Sequence, residues 1–253
     1  MKAQIRFYDD LNDFLPRVHR HQEVIFQTFQ PTTVKDAIES LGVPHTEIDL
    51  ILVNGNSRPF TYLVKDGDRV SVYPMFEEID VGDVTLLRQD PLRNQRDDPK
   101  FIVDVNLGKL AHLLRMMGFD VIYDRWLQDD VEIARISKFE NRLLLTRDRN
   151  LLKRREVDRG YFVRSDIPQE QLMEVMKRYD LGGETHLCSR CIHDNTPLEP
   201  IAKEQILDQV PPLVAETYSE FSICPDCQRV YWEGSHFESM KNLRDGVVRF
   251  LAG

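Results

Sequence analysis

FIVDVNLGKLAHLLRMMGFDVIYD (101–124) sets the architecture of the middle of the chain. FIVDV (101–105) reads as a short apolar strand. LGKLAHLLRMMG (107–118) reads as a helix with Leu107, Leu110, Leu114 and Met117 on one face and Gly118 as its stop. FDVIYD (119–124) reads as a second strand. The alternation continues through a helix DDVEIARISKFE (129–140), strands RLLLT (142–146) and GYFVR (160–164), and a helix PQEQLMEVMKRYDL (168–181) with proline in its first turn. Strands separated by helices imply a parallel sheet covered by helices, so an α/β domain is expected over 100–183.

Toward the N-terminus, residues 1–80 read as a separate α+β unit. QIRFY (4–8) and EVIFQTF (23–29) are strands, with Leu11, Phe14 and Leu15 packing between them. TTVKDAIESLG (32–42) is a helix capped at Thr32 or Thr33 and ended at Gly42. LILVNGNSRPF (50–60) is a strand entering an Asn54-Gly55 turn, and LVKDGDRVSVYP (63–74) is a turn followed by a strand. This is the β-grasp order. With the phrases LVNG and DGDRVSVYP, the segment resembles the ubiquitin-like sulfur carriers, which work through a free C-terminal Gly-Gly. Here Gly182-Gly183 is internal, so a binding or positioning module is expected rather than sulfur chemistry. The polar stretch 81–99, with Pro91, Pro99 and clustered charges, reads as a linker.

Toward the C-terminus lie all four cysteines, in two C-x-x-C pairs: Cys188 with Cys191, and Cys224 with Cys227. Thiolates are soft ligands, and four around one ion suit structural Zn²⁺. A zinc ribbon is expected over 184–240, followed by a tail or helix over 241–253. Four thiolates leave no open position, so the metal would serve folding rather than catalysis.

Charge sharpens the picture. The net charge of −9 argues against a protein that coats nucleic acid indiscriminately. Residues 135–164, however, carry 10 basic and 4 acidic side chains, against 11 and 17 in 1–98 and 8 and 15 in 165–253. That segment is either a phosphate-attracting patch or a solvated helical face. MKAQIRFYDD is too acidic for a signal peptide, no stretch is apolar enough to span a membrane, and paired cysteines fit a reducing compartment; a cytoplasmic location is expected.

Open α/β sheets place ligand sites at the carboxyl ends of their strands. Asp104 closes the first apolar strand, Asp148 follows RLLLT, and Asp129 and Asp130 begin the second helix. Converging carboxylates repel unless a cation lies between them, and oxygen ligands favour Mg²⁺ or Mn²⁺. Each acid also has a structural reading: Asp129 with Glu132 fits a capping box, Asp148 and Asp166 fit helix caps, and Asp130 fits either role. Asp104 has the weakest structural alternative.

FIVDVNLGKLAHLLRMMGFDVIYD, then DDVEIARISKFENRLLLTRDRNLL (129–152), then two C-x-x-C pairs and VYWEGSHF (230–237), together resemble the Mut-seven C-terminal RNase family: a PIN-like nuclease domain with an added zinc ribbon, in some members preceded by a ubiquitin-like domain. The resemblance implies a metal-dependent ribonuclease in which Asp104, Asp130 and Asp148 hold Mg²⁺ or Mn²⁺ and Thr146 supports Asp148. Asp129 and Asp166 are further candidate acids. Arg115, Arg147, Arg149, Lys153, Arg154 and Arg155 are the expected RNA-binding residues, with Tyr231, Trp232 and His236 either stacking on bases or packing the ribbon core. Three other readings stand beside it: a non-enzymatic RNA- or ribosome-binding adaptor, a protein-interaction role led by residues 1–80, and a toxin-like PIN ribonuclease.

Overall fold

The computed structural model describes residues 1–76, 81–87, 99–181 and 185–252. The chain forms two compact units: residues 1–97 with 146–162, and residues 98–145 with 163–253.

In the first unit β1 (Lys2–Phe7) pairs antiparallel with β2 (Glu23–Gln27). After α1 (Val34–Ser40) the chain lays down β3 (Ile48–Val53), β4 (Asn56–Ser57) and β5 (Arg69–Pro74). The order β2-β1-β5-β3-β4, with β1 and β5 parallel, is the β-grasp arrangement. The Thr33 hydroxyl accepts from the Asp36 N–H and starts α1. Asn54 (φ 51°) and Gly55 (φ 81°) form the turn between β3 and β4, where both central residues need the left-handed region. Ile5, Phe7, Ile38, Ile51 and Val72 bury their side chains in the core, joined by Leu11, Phe14 and Leu15 from a 3-10 segment.

Two features of this unit differ from the sequence reading. Residues 81–87 are not a free linker: Val81 is buried, the Thr85 hydroxyl donates to Asp49 O, and Leu87 packs on the core. The remainder of the expected linker, 88–98, lies outside the described residues. Second, residues 146–162 cluster with this unit while also standing in the α/β strand order. They contain α4 (Arg149–Leu152) and β9 (Gly160–Phe162). Their polar groups find partners here: Phe162 N–H donates to Glu47 Oε1 at 2.7 Å, and His45 Nε2 lies 2.8 Å from Val157 O.

In the second unit β6 (Lys100–Val103) lies between β7 (Asp120–Ile122) and β8 (Leu143–Thr146), parallel to both. Two helices follow the crossovers: α2 (Gly108–Met116) and α3 (Asp130–Phe139). Helix α5 (Pro168–Arg178) packs against α2. Phe101, Ile102, Leu110, Leu114, Val121 and Leu144 are fully buried, as the apolar periodicity requires. Arg142 ties neighbouring strands of the sheet together. Its guanidinium donates to Phe101 O, to Asp120 Oδ1 at 2.8 Å and to Glu140 Oε2 at 2.7 Å. Burial pushes the Asp120 carboxyl up, but hydrogen bonds from Arg142 and Asn195 outweigh it and hold the group below the usual carboxylate range.

The cysteine region belongs to this unit rather than forming a unit of its own. Strands β10 (Glu199–Ile201), β11 (Phe221–Ile223) and β12 (Val230–Tyr231) form an antiparallel sheet in that order. The segment between the cysteine pairs includes α6 (Pro212–Thr217) and builds a small core from Ile206, Val210 and Phe221, against which Trp232 packs. Helix α7 (Ser235–Ala252) ends the described chain. Among the described residues no helix is long and apolar enough to cross a membrane.

Candidate functional site

Three of the four cysteines converge, and their fourth companion is an aspartate. Donor atoms of Cys191, Asp194, Cys224 and Cys227 all lie within 4.8 Å of one another. Cys191 Sγ is 3.7 Å from Cys227 Sγ and 3.5 Å from Asp194 Oδ2, and Cys224 Sγ is 3.7 Å from the same carboxylate oxygen. Cys188, expected as a ligand, stands outside this group. Its N–H donates to Met116 O, its φ is 54°, and burial followed by the charge of Glu233 pushes its thiol up to about 11. No cysteine is in a disulfide.

Crowding shows in the protonation of the cluster. Burial and the Asp194 carboxylate push the Cys227 thiol up to about 11. Burial also acts to raise Cys191, but hydrogen bonds from the Tyr231 hydroxyl and from the Asp194 and His193 backbone prevail and lower it. The Tyr231 oxygen lies 3.1 Å from Cys191 Sγ, and burial together with that contact raises the phenol. Neighbouring thiolates repel, so their joint deprotonation needs a cation.

The cluster is bolted to the α/β sheet. Arg115 on α2 is 3% exposed, and its guanidinium donates to Val121 O, Tyr123 O, Ile192 O and His193 O. Its guanidinium donors, expected at RNA phosphates, are turned to backbone carbonyls inside the unit. Asn195 completes the joint, donating to Asp120 Oδ1 at 2.8 Å and accepting from the Val121 N–H at 2.9 Å. Gly118 (φ 100°) permits the close approach of the incoming chain, since a Cβ there would stand 2.5 Å from His186 O.

The candidate acids take up distinct positions. In the second unit Asp104 follows the central strand, 7% exposed, with its N–H donating to Leu145 O at 3.0 Å. Asp129 caps α3, accepting from the Val131 N–H, but no capping box forms, because Glu132 pairs with Arg135 at 2.7 Å. Asp130 is the first residue of that helix. Asp166 is exposed and is not the cap of α5, whose N-cap is Ile167. It lines instead a shallow groove with Asn106, Lys109, His112, Tyr123 and Gln171. Burial, then the Arg115 and His193 charges, lower the His112 imidazole. In the first unit Asp148 caps α4, accepting from the Asn150 N–H at 2.7 Å, while its own N–H donates to the Thr146 hydroxyl at 2.9 Å.

The expected RNA-binding cations divide in the same way. Arg149 donates to Phe14 O at 3.0 Å and lies over the Phe14 and Phe162 rings, and Lys153 donates to Glu39 O at 2.9 Å. Both anchor residues 146–162 within the first unit, which accounts for part of the basic run without RNA. Arg155 is exposed, and Arg147 and Arg154 are half-buried. In the ribbon Trp232 is a packing residue; the His236 side chain lies outside the described residues. Sequence periodicity missed Trp126, which is 74% exposed beside α3 with the Arg125 guanidinium 4.8 Å from its ring. An exposed tryptophan in a polar RWLQDD run was the available signal.

Compared with known proteins, residues 99–244 match the Mut7-C RNAse domain, and residues 1–80 match the Mut7-C ubiquitin domain. No curated protein and no solved structure matches the chain.

Proposed function

Because the chain belongs to the Mut7-C RNAse domain family, we propose that it is a PIN-like, metal-dependent ribonuclease of RNA processing or turnover. One observation carries the reading beyond the family match: Asp104 is a buried carboxylate at the carboxyl end of the central parallel strand, the position at which open α/β sheets hold ligands. Carboxylate oxygens at such a position suit a hard divalent cation. Asp104, Asp130 and Asp148 are assigned to hold Mg²⁺ or Mn²⁺, with Asp129 and Asp166 as lesser candidates. The ion, when bound, lowers the pKa of a water and offsets charge on the leaving oxygen. Hydrolysis then places the water oxygen on phosphorus, breaks the bond to the leaving oxygen, and returns a proton to that oxygen. Thr146 steadies Asp148 through the hydrogen bond to its N–H.

Arg147, Arg154 and Arg155 are the cations assigned to RNA phosphates, and the Arg125–Trp126 pair offers a stacking platform for an unpaired base. The cysteine-rich ribbon is assigned one structural Zn²⁺, and the ubiquitin-like domain a protein partner. Unpaired thiols fit the reducing cytoplasm.

The test is cleavage of mixed single-stranded and structured RNA by the full chain with Mn²⁺ or Mg²⁺, beside Asp104→Asn and Asp148→Asn with zinc content matched. Cleavage lost in both variants supports the reading. Equal cleavage by all three excludes these acids as ligands. A second reading is favoured by one observation, that Asp129 and Asp148 both serve as helix caps: a non-enzymatic RNA-binding adaptor. Absence of cleavage by the folded wild type on every RNA tried, with RNA binding retained, selects it.

A further inference from the structure

The spacing of the cysteines suggests two equivalent C-x-x-C knuckles, but the backbone repeats with a different frame. In the second knuckle, Cys224 N–H donates to Arg229 O at 3.0 Å, Gln228 N–H donates to Cys224 O at 2.9 Å, and Gln228 is left-handed with φ 61°. The same three features recur around Cys191. Its N–H donates to Thr196 O at 2.8 Å, Asn195 N–H donates to Cys191 O at 2.9 Å, and Asn195 has φ 68°. The offsets are the same, four and five residues after the leading cysteine. Superposed by these bonds, Cys191 stands where Cys224 stands, and Asp194 stands where Cys227 stands. Cys188 has no counterpart, because its N–H is used by Met116 O in the α/β core. The two turns also meet directly: the Thr196 hydroxyl of the first donates to the Asp226 carboxylate of the second.

The distances fit an ion. A tetrahedral zinc with sulfur ligands at about 2.3 Å and an oxygen ligand at about 2.0 Å has sulfur–sulfur edges of about 3.8 Å and sulfur–oxygen edges of about 3.5 Å. The observed edges are 3.7 Å for Cys191–Cys227 and 3.5 and 3.7 Å for the two cysteine–aspartate pairs.

We propose that the ribbon metal is held by three thiolates and one carboxylate, from Cys191, Cys224, Cys227 and Asp194, and that Cys188 is a free thiol outside the coordination sphere. The proposal rests on the assignment of a zinc ion to the ribbon and names its ligands. The oxygen ligand is harder than the sulfur it replaces, and Asp194 is exposed while Cys191 and Cys224 are buried. The ion is therefore reached by solvent from one side and is released more readily than from four thiolates.

The experiment uses the full chain, with zinc content after dialysis, competition against a chromophoric zinc chelator, and the absorption spectrum after Co²⁺ replacement. Wild type is expected to hold one zinc. Cys188→Ser is expected to keep the same zinc content, an affinity within about twofold, and an unchanged Co²⁺ spectrum. Asp194→Ala loses affinity by at least about 100-fold, at the upper end of losses seen for groups that only support a ligand. Asp194→Cys binds zinc more tightly than wild type and gains one thiolate's worth of Co²⁺ charge-transfer absorption. If Asp194→Ala fails to fold, Cys188→Ser and Asp194→Cys decide by the same readouts. Zinc lost in Cys188→Ser and kept in Asp194→Ala overturns the ligand set in favour of four cysteines. A natively folded wild type that takes up neither zinc nor cobalt overturns the ribbon metal itself.

Discussion

The two knuckles share a backbone and differ in what surrounds them. Around Cys191 the turn is joined to the α/β sheet: Arg115 holds Ile192 O and His193 O, and Asn195 bridges Asp120 and Val121. Around Cys224 the corresponding residue, Gln228, turns its side-chain amide to Pro225 O within its own turn. One knuckle is thus part of the nuclease-family core, and the other is carried on β11 and β12 and meets the first through the donor cluster. A metal ion there would tie a peripheral sheet to a central one. The matched family domain, residues 99–244, spans both the α/β and the cysteine-rich parts of the sequence.

The comparison can be broken most sharply at the shared cluster. Cys224→Ser removes a ligand from the peripheral knuckle and is expected to cost at least about 4 kcal/mol together with loss of bound zinc, as losses of structural metals do; denaturant melts with metal analysis check this. A smaller loss with zinc retained would mean that the second knuckle is not held by metal. Next is Arg115→Met, which keeps the bulk of the side chain but leaves several buried carbonyls without donors. About 3 kcal/mol of destabilisation is expected by urea unfolding.

Asp120 sits between the knuckle and the sheet, and its ion pair with Arg142 is largely buried, with side-chain exposures of 18% and 7%. Asp120→Ala is expected to cost about 3 kcal/mol, because it leaves a buried guanidinium with the half-exposed Glu140 as its remaining carboxylate partner. The sign with pH follows from its depressed carboxyl. Its contribution is fully present above the unfolded value of about 3.9 and is lost as pH falls through the lower folded value. Thermal melts between pH 7 and pH 3 should therefore show an acid-side fall in wild type that is shallower in Asp120→Asn. The smallest contrast is the most direct: Asn195→Ala should cost about 1–2 kcal/mol through its two lost hydrogen bonds, and Gln228→Ala under about 0.5 kcal/mol. Equal losses would show that both knuckles are docked alike.

Much of this was legible in the linear chain. The strand–helix alternation from Phe101 onward, the β-grasp order, the stops at Gly42 and Gly118, and the soft-donor character of the cysteine region all follow from local periodicity, backbone preference and donor chemistry. These are short-range properties, and a residue carries them wherever it lies. The surroundings that the sequence did not reveal share another character. Arg115 and Lys153 look like surface cations until their partners are seen, because a long basic side chain reads the same whether it meets water, phosphate or a carbonyl distant in sequence. Residues 146–162 stand in the α/β alternation, and their polar groups also find partners around Phe14, Glu39 and Glu47, which periodicity does not show.

By itself, then, the sequence determined the kinds of element, their order and the clustering of soft donors near the C-terminus, since these depend on residues a few positions apart. Only the tertiary structure decided which atoms meet. C-x-x-C at 188–191 and C-x-x-D at 191–194 are both spaced to form a knuckle. The choice lay with the backbone: Cys188 N–H goes to Met116 O, seventy-two residues earlier, and frees the turn that follows to present Cys191 and Asp194 together.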